Sequence, residues 1–186
     1  MYLKDNFLEP ESELLKDLTD PSIWEELDEV NFPALSQFWD GTGELDNVWK
    51  RLINKIWGEL DPSTFGCFEY WANITSPDMP LDWHQDKNEM EYILNGKTIC
   101  ADTSTVFYGY PHKVEGGYLE INEVGKNDNV ETERIKPKYN RIVVFDPSRW
   151  HRVMPVKSGL RYGFQVNIWN TAPEEAIKLM TGNNYE

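Results

Sequence analysis

The sequence predicts a mainly β core behind a helical N-terminal third. A helical stripe runs before residue 62, and from residue 65 onward β-branched and aromatic runs are broken by turn residues. Size and composition make this one domain. The 186 residues are 40% hydrophobic and 13% aromatic, with eight Trp, enough for one packed core and too apolar for disorder over most of the chain. The expected division is a single domain over 1–186, with a helical support region over 1–62, a β core over 63–170, and a C-terminal helix and tail over 171–186.

The first expected helix spans 11–18. The second, 22–30, follows Pro21, and Ser22 with Glu25 three residues on has the form of a capping box. The strongest spans 44–60, where Leu45, Val48, Trp49, Leu52, Ile53, Ile56, Trp57 and Leu60 fall on one face before Asp61-Pro62 ends it. That stripe reads as core packing. Strands are expected near 65–74, 82–86, 97–100, 104–110, 118–122, 130–135, 141–145, 150–154 and 161–169. Asn95-Gly96, Gly116-Gly117, Gly125-Lys126-Asn127-Asp128 and Asp146-Pro147-Ser148 supply turns, and Pro155 stops the strand before it. In 161–169, Arg161, Gly163, Gln165, Asn167 and Trp169 share one face, and Tyr162, Phe164, Val166 and Ile168 the other. If Arg161 points into the core, the apolar face is expected against helix 44–60. A helix over 173–180 closes the chain, and the tail to Glu186 is expected to fray.

Charge excludes some partners. The formal net charge is -14, and residues 1–60 hold 14 acids against 5 bases. Such a surface repels phosphate backbones and anionic lipid, so neither nucleic acid nor membrane is an expected partner. No run approaches the roughly 20 apolar residues of a membrane span, and the start is acidic, so a soluble cytoplasmic protein is expected. Cys67 and Cys100 have no close second thiol and read as reduced, buried residues. The oligomeric state is left open.

The chemistry sits in the β half. His84 and Asp86 form His-x-Asp, and positions two apart on a strand share a face, so one imidazole and one carboxylate converge. Alone, this pairing is common by chance. His151 adds a second imidazole, and two histidines with one carboxylate give a facial ligand set with open positions, as in non-haem Fe(II) oxygenases. Ten residues later Arg161 opens a strand. Its guanidinium suits the far carboxylate of a dicarboxylate whose other end chelates the metal, although a surface position fits the bare sequence equally well.

These residues and their surroundings resemble the 2-oxoglutarate and Fe(II)-dependent oxygenases, in their prolyl 4-hydroxylase-like branch, over roughly residues 65–170. The likeness rests on HQD at 84–86, STVFYGYP at 104–111, GGYLEI at 116–121 and NRIVVFDPSRWHRVMPVKSGLRYGFQVNIW at 140–169. HRVMPVKSGLR, from His151 to Arg161, is its most specific piece. The resemblance implies a double-stranded β-helix, a jelly roll with the metal in its mouth. It implies that His84, Asp86 and His151 bind Fe(II), and that Arg161 binds the far carboxylate of 2-oxoglutarate. It also implies that Tyr108 supports that carboxylate, with Tyr110 two residues on as the other choice. The reaction implied is hydroxylation of a C–H bond with O2, releasing succinate and CO2. Related halogenases lack the carboxylate present here as Asp86, which favours hydroxylation.

Two features depart from the family. Its tyrosine about ten residues before the first histidine is replaced by Ile74, with Tyr70 the nearest, and the N-terminal helices carry no resemblance. Loop His112 and residues Trp83, Trp150 and Trp169 read first as surface or packing residues. The segment after Asp86, KNEMEYILNGK, is placed to close over a substrate. The substrate expected is a proline-containing peptide or protein, with a free amino acid or other small molecule as the alternative. A jelly-roll protein with a structural metal is the remaining reading, and Arg161 argues against it because a closed metal shell has no use for a dicarboxylate clamp.

Overall fold

The computed structural model describes residues 1–30, 36–60, 66–77, 79–111, 113–126 and 130–181. The Asp61-Pro62 helix stop, His112, Asn127-Asp128 and the tail beyond Thr181 lie outside them. A six-stranded antiparallel sheet has the order β1 (Tyr2–Asp5), β9 (Arg141–Phe145), β5 (Thr103–Tyr108), β12 (Arg161–Trp169), β3 (Cys67–Thr75), β2 (Gln37–Trp39). A four-stranded sheet has the order β4 (Leu81–His84), β10 (Trp150–Val153), β7 (Leu119–Asn122), β8 (Glu133–Ile135). A ribbon pairs β11 (Val156–Ser158) with β6 (Glu115–Gly116). Val106, Tyr108, Val143 and Phe145 of the large sheet pack on Leu119, Ile121 and Ile135 of the small one, so the two sheets face each other. The architecture is mainly β and consistent with a jelly roll.

The alternation in β12 sets the layering. Tyr162 and Phe164 point outward onto α2 (Pro21–Val30) and α3 (Val48–Leu60), where Trp24 meets Tyr162 edge-on at 5.9 Å and Trp49 stacks on Phe164 at 4.6 Å. Leu18, Leu52, Ile53 and Ile56 complete this core. Fully burying each such aliphatic side chain is worth about 1.5–3 kcal/mol, so the outer face is anchored firmly and the inner face is free to carry polar groups.

Several boundaries differ from expectation for local reasons. The first helix shortens to α1 (Glu13–Asp17), because the Ser12 hydroxyl accepts the Leu15 N–H and sets its start. Asp20, not Ser22, caps α2, accepting the Ser22 N–H at 2.9 Å with Pro21 as first helical residue. Asn47 accepts the Lys50 N–H at 2.9 Å, so α3 starts at Val48 and Leu45 stays exposed. The helical reading of 1–62 missed β1 and β2, short edge strands held by backbone pairing to β9 and β3. No strand forms at 97–100, where only a single bridge joins Lys87 and Cys100. Instead 89–95 is a helix, α4 (Glu89–Asn95), capped by Asn88 and ended by Gly96 at φ +65°, so Asn95-Gly96 terminates a helix and makes no hairpin. The last helix is α5 (Glu174–Thr181). Cys67 is buried, which pushes its thiol up to about 12, whereas Cys100 is half-buried. Among the described residues no helix is long and apolar enough to cross a membrane.

Candidate functional site

Pairing of β4 with β10 makes His84 and His151 direct cross-strand partners, with ring centroids 4.2 Å apart. Asp86 reaches them by another route than strand alternation, because β4 ends at His84. The Asp86 N–H donates to Pro147 O at 3.2 Å and its carbonyl accepts the Ala101 N–H at 3.3 Å, which turns the carboxylate inward. Its Oδ1 lies 3.6 Å from His84 Nε2 and 3.4 Å from His151 Nε2. The three ligand atoms lie within 4.8 Å of one another, the one such cluster among the described residues.

Backbone carbonyls fix both imidazoles. His84 Nδ1 lies 2.8 Å from Asp82 O, and His151 Nδ1 lies 2.9 Å from Arg149 O. A carbonyl only accepts, so each Nδ1 carries a hydrogen and each Nε2 faces Asp86, where the neutral form of the ring offers a lone pair. His151 Nε2 is buried without a hydrogen-bond partner. Ser104, reached through β5, donates to Asp86 Oδ2 at 3.2 Å. Burial, with His151 adding to it, lowers the pKa of His84. Burial acts the same way on His151, but the nearby Asp86 carboxylate outweighs it and raises that pKa. Burial would raise the Asp86 pKa, and the two imidazoles reverse this and hold it low. Two oriented nitrogen lone pairs, a carboxylate and an orphaned buried acceptor are a donor set that fits a divalent iron with open positions.

At the start of β12, Arg161 is 1% exposed and inside the barrel. Its Nη2 donates to Tyr108 Oη at 3.1 Å, its Nε has no partner, and its guanidinium sits 5.1 Å from the Tyr108 ring. A Cβ on Gly163 would come within 3.1 Å of Arg161 Nη1, so the guanidinium lies back along the strand over this glycine. A Cβ on Gly117, at φ +62°, would meet Arg161 Cδ at 3.1 Å. Tyr110, the other choice, lies past the end of β5 after Gly109 and packs on Tyr162 at 4.4 Å in the outer core. Tyr70 joins that core too, and the hydroxyl that accepts from Arg161 is that of Tyr108.

Trp83 lies under the Arg152 guanidinium at 4.6 Å, Trp150 under Gly125, and Trp169 donates to Glu69 at 3.0 Å. Sequence reasoning put Gly163 on the face of Arg161 and missed Ser104 and Gly117 as neighbours of the site. Period-two alternation was available to find Ser104, which shares a face with Tyr108. A groove of about 770 Å³ lies on the helical side between Asp17, Leu27, Trp49 and Tyr70, away from the histidines.

The family model of the 2OG-Fe(II) oxygenase superfamily matches residues 70–169, which span β3 through β12. No curated protein matches the chain by sequence. A Pseudomonas putida prolyl-4-hydroxylase superposes with a TM-score of 0.60 at 15% identity, covering 92% of each chain. A Trichoplax adhaerens prolyl hydroxylase, solved with a hypoxia inducible factor oxygen degradation domain peptide fragment, gives 0.59 at 14% identity over 96% of this chain and 86% of that one. A viral collagen prolyl hydroxylase from Paramecium Bursaria Chlorella virus-1 gives 0.56 at 17% identity over 90% and 87%. At these identities the solved structures are similar in fold.

Proposed function

The chain belongs to the 2OG-Fe(II) oxygenase superfamily and is a dioxygenase that uses Fe(II), 2-oxoglutarate and O2; we propose that His84, Asp86 and His151 hold its iron and that Arg161 and Tyr108 hold the far carboxylate of 2-oxoglutarate. The carrying observation is the pair of Nε2 atoms 3.6 and 3.4 Å from one Asp86 oxygen, with both Nδ1 atoms tied to backbone carbonyls. Substrate C–H, O2 and 2-oxoglutarate give substrate C–OH, succinate and CO2. When bound, Fe(II) supplies the oxidative decarboxylation of 2-oxoglutarate and the oxidation of the C–H bond.

The chain's own groups orient and desolvate. The carbonyls of Asp82 and Arg149 fix the imidazole tautomers, so the ligand atoms need no reorganisation. Ser104 holds Asp86 Oδ2 and leaves Oδ1 toward the histidines. Arg161 offers paired charge-assisted hydrogen bonds from a buried position, which places the opposite end of a short dicarboxylate toward the triad. Tyr108 accepts from Arg161, so its own hydroxyl proton is free for the same carboxylate.

The proposed substrate is a proline-containing peptide or protein, supported by the prolyl hydroxylases with the same fold; a free amino acid or other small molecule is the second choice. The single-domain division of the chain, with helices supporting the barrel, is part of the same reading, supported by the contacts of α2 and α3 with the large sheet. The test is succinate release with Fe(II) and 2-oxoglutarate against proline peptides and free amino acids, with product mass checked for a gain of one oxygen atom. Stimulation by a peptide with that gain is expected. Stimulation by small molecules alone would remove the peptide reading, and no succinate under any condition would remove the assignment of the site.

A further inference from the structure

A row of polar side chains crosses the inner face of the large sheet from Asp86. Ser104 donates to Asp86 Oδ2, and in the β5–β12 register Ser104 stands opposite Asn167. In the β12–β3 register Asn167 stands opposite Glu69. Directly opposed residues on neighbouring strands have Cβ atoms about 4.5–5.5 Å apart, so this row places a second carboxylate two strands from the triad. Arg161 lies toward the other end of the same inner face, with its guanidinium over Gly163. The two polar ends of this face are therefore of opposite sign, with the triad at the level of the anionic one.

Hydrogen bonding orients the anionic end. Glu69 Oε2 accepts from Trp169 Nε1 at 3.0 Å and from Asn167 Nδ2 at 3.4 Å. The amide nitrogen is the atom of Asn167 that meets the carboxylate, and Asn167 Oδ1 takes no part in that contact. That oxygen is buried without a donor, in a residue only 2% exposed. The hydroxyl of Ser104, opposite it, gives its single proton to Asp86. A buried acceptor left unpaired carries an uncompensated desolvation cost. No basic side chain among the described residues pairs with Glu69.

We propose that Glu69 and Asn167 form a subsite for a protonated amine of the substrate, with the ammonium donating to the Glu69 carboxylate and to Asn167 Oδ1. This deepens the proposed function and rests on it, because the subsite fixes the substrate beside the iron ligands. Burial, with the charge of Asp86 adding to it, raises the pKa of the Glu69 carboxyl despite the bonds from Ser36 and Trp169, and a bound cation relieves that cost. An ammonium suits the pair because it has only donors, whereas an acetylated amine brings a carbonyl oxygen toward two acceptors. The ammonium comes from a free amino acid, or from a peptide N-terminus or lysine.

The test compares L-proline, L-lysine and the dipeptide prolylglycine with their N-acetylated forms in kcat/KM for stimulated succinate release, in wild type, Glu69→Gln and Asn167→Leu. Wild type is expected to prefer at least one free amine over its acetylated form by roughly ten- to hundredfold, the range for a hydrogen bond to a charged group. In both variants that preference falls toward one, a ratio that differences in expression or folded fraction do not move. Stimulation by the dipeptide but not the amino acids assigns the ammonium to a peptide, and the reverse assigns it to a free amino acid. Equal use of free and acetylated forms by wild type, no stimulation by any amine, or an unchanged preference in Glu69→Gln overturns the subsite. Calorimetric titration of 2-oxoglutarate into the metal-loaded protein separates the two failures: binding without amine preference removes the subsite alone, and no binding removes the assignment of the site with it.

Discussion

Replacing Arg161 by Met separates stability from function in opposite directions. The guanidinium is fully buried, touches one neutral hydroxyl and has an unpartnered Nε, so the ligand-free fold carries a cation with no counter-ion among the described residues. Burying an ion costs several kcal/mol that only a partner offsets, so Arg161→Met should melt higher than wild type without ligand. With 2-oxoglutarate the order reverses. At a concentration of 100 Kd, ligand binding adds about 2.7 kcal/mol to wild type, and at about 2–4 °C per kcal/mol for a chain of this size the melting temperature rises by roughly 5–11 °C. Removing one side of the buried carboxylate pair costs about 3–5 kcal/mol, or two to nearly four decades in Kd. At the same ligand concentration the variant then gains no more than about 0.4 kcal/mol. The assay is thermal denaturation of metal-loaded wild type and Arg161→Met with and without 2-oxoglutarate. A ligand shift of wild-type size in the variant would place the clamp elsewhere.

Gly163→Ala puts a methyl 3.1 Å from Arg161 Nη1 and pushes the guanidinium aside by a few tenths of an ångström. About 1 kcal/mol of misalignment raises the KM for 2-oxoglutarate roughly fivefold, and an unchanged KM in steady-state kinetics would show that the guanidinium does not set it. Asp5 ties β1 to β9 through hydrogen bonds from Arg141 and then Lys138, which lower its pKa from 3.8 to about 2. A depressed folded pKa contributes stability that is present above the unfolded value and lost as pH falls through the folded one. Asp5→Asn should therefore melt below wild type at pH 7, and the gap should close between about pH 4 and pH 2; a gap constant with pH would detach the effect from this carboxylate.

Long-range pairing left its mark on the sequence in the inner strands of the large sheet. Strands 141–145 and 161–169 are read to the residue, because β-branched and aromatic side chains are concentrated there between turn residues. Short edges were not legible. In β1, YLKD has no alternation to mark it, and only pairing with Arg141 to Val144 makes it a strand. Helix α4 was missed because it buries no residue, so its apolar Tyr92, Ile93 and Leu94 carry no stripe that faces a core. At the site, the His-x-Asp spacing named residues that do converge, but for another reason than the one it suggested. Alternation would have kept Asp86 on the strand, whereas loop bonds to Pro147 and Ala101 bring it in. The choice between Tyr108 and Tyr110 was beyond the sequence, since it depends on where β5 stops.

Metal content measured after anaerobic loading with Fe(II) tests whether His84, Asp86 and His151 hold the iron. One iron per chain is expected in wild type, with little retained in His84→Ala or His151→Ala while circular dichroism shows the same folded β content, because the ligands gather on a scaffold that other contacts hold. Tight, stoichiometric iron that survives in both single variants would contradict the account.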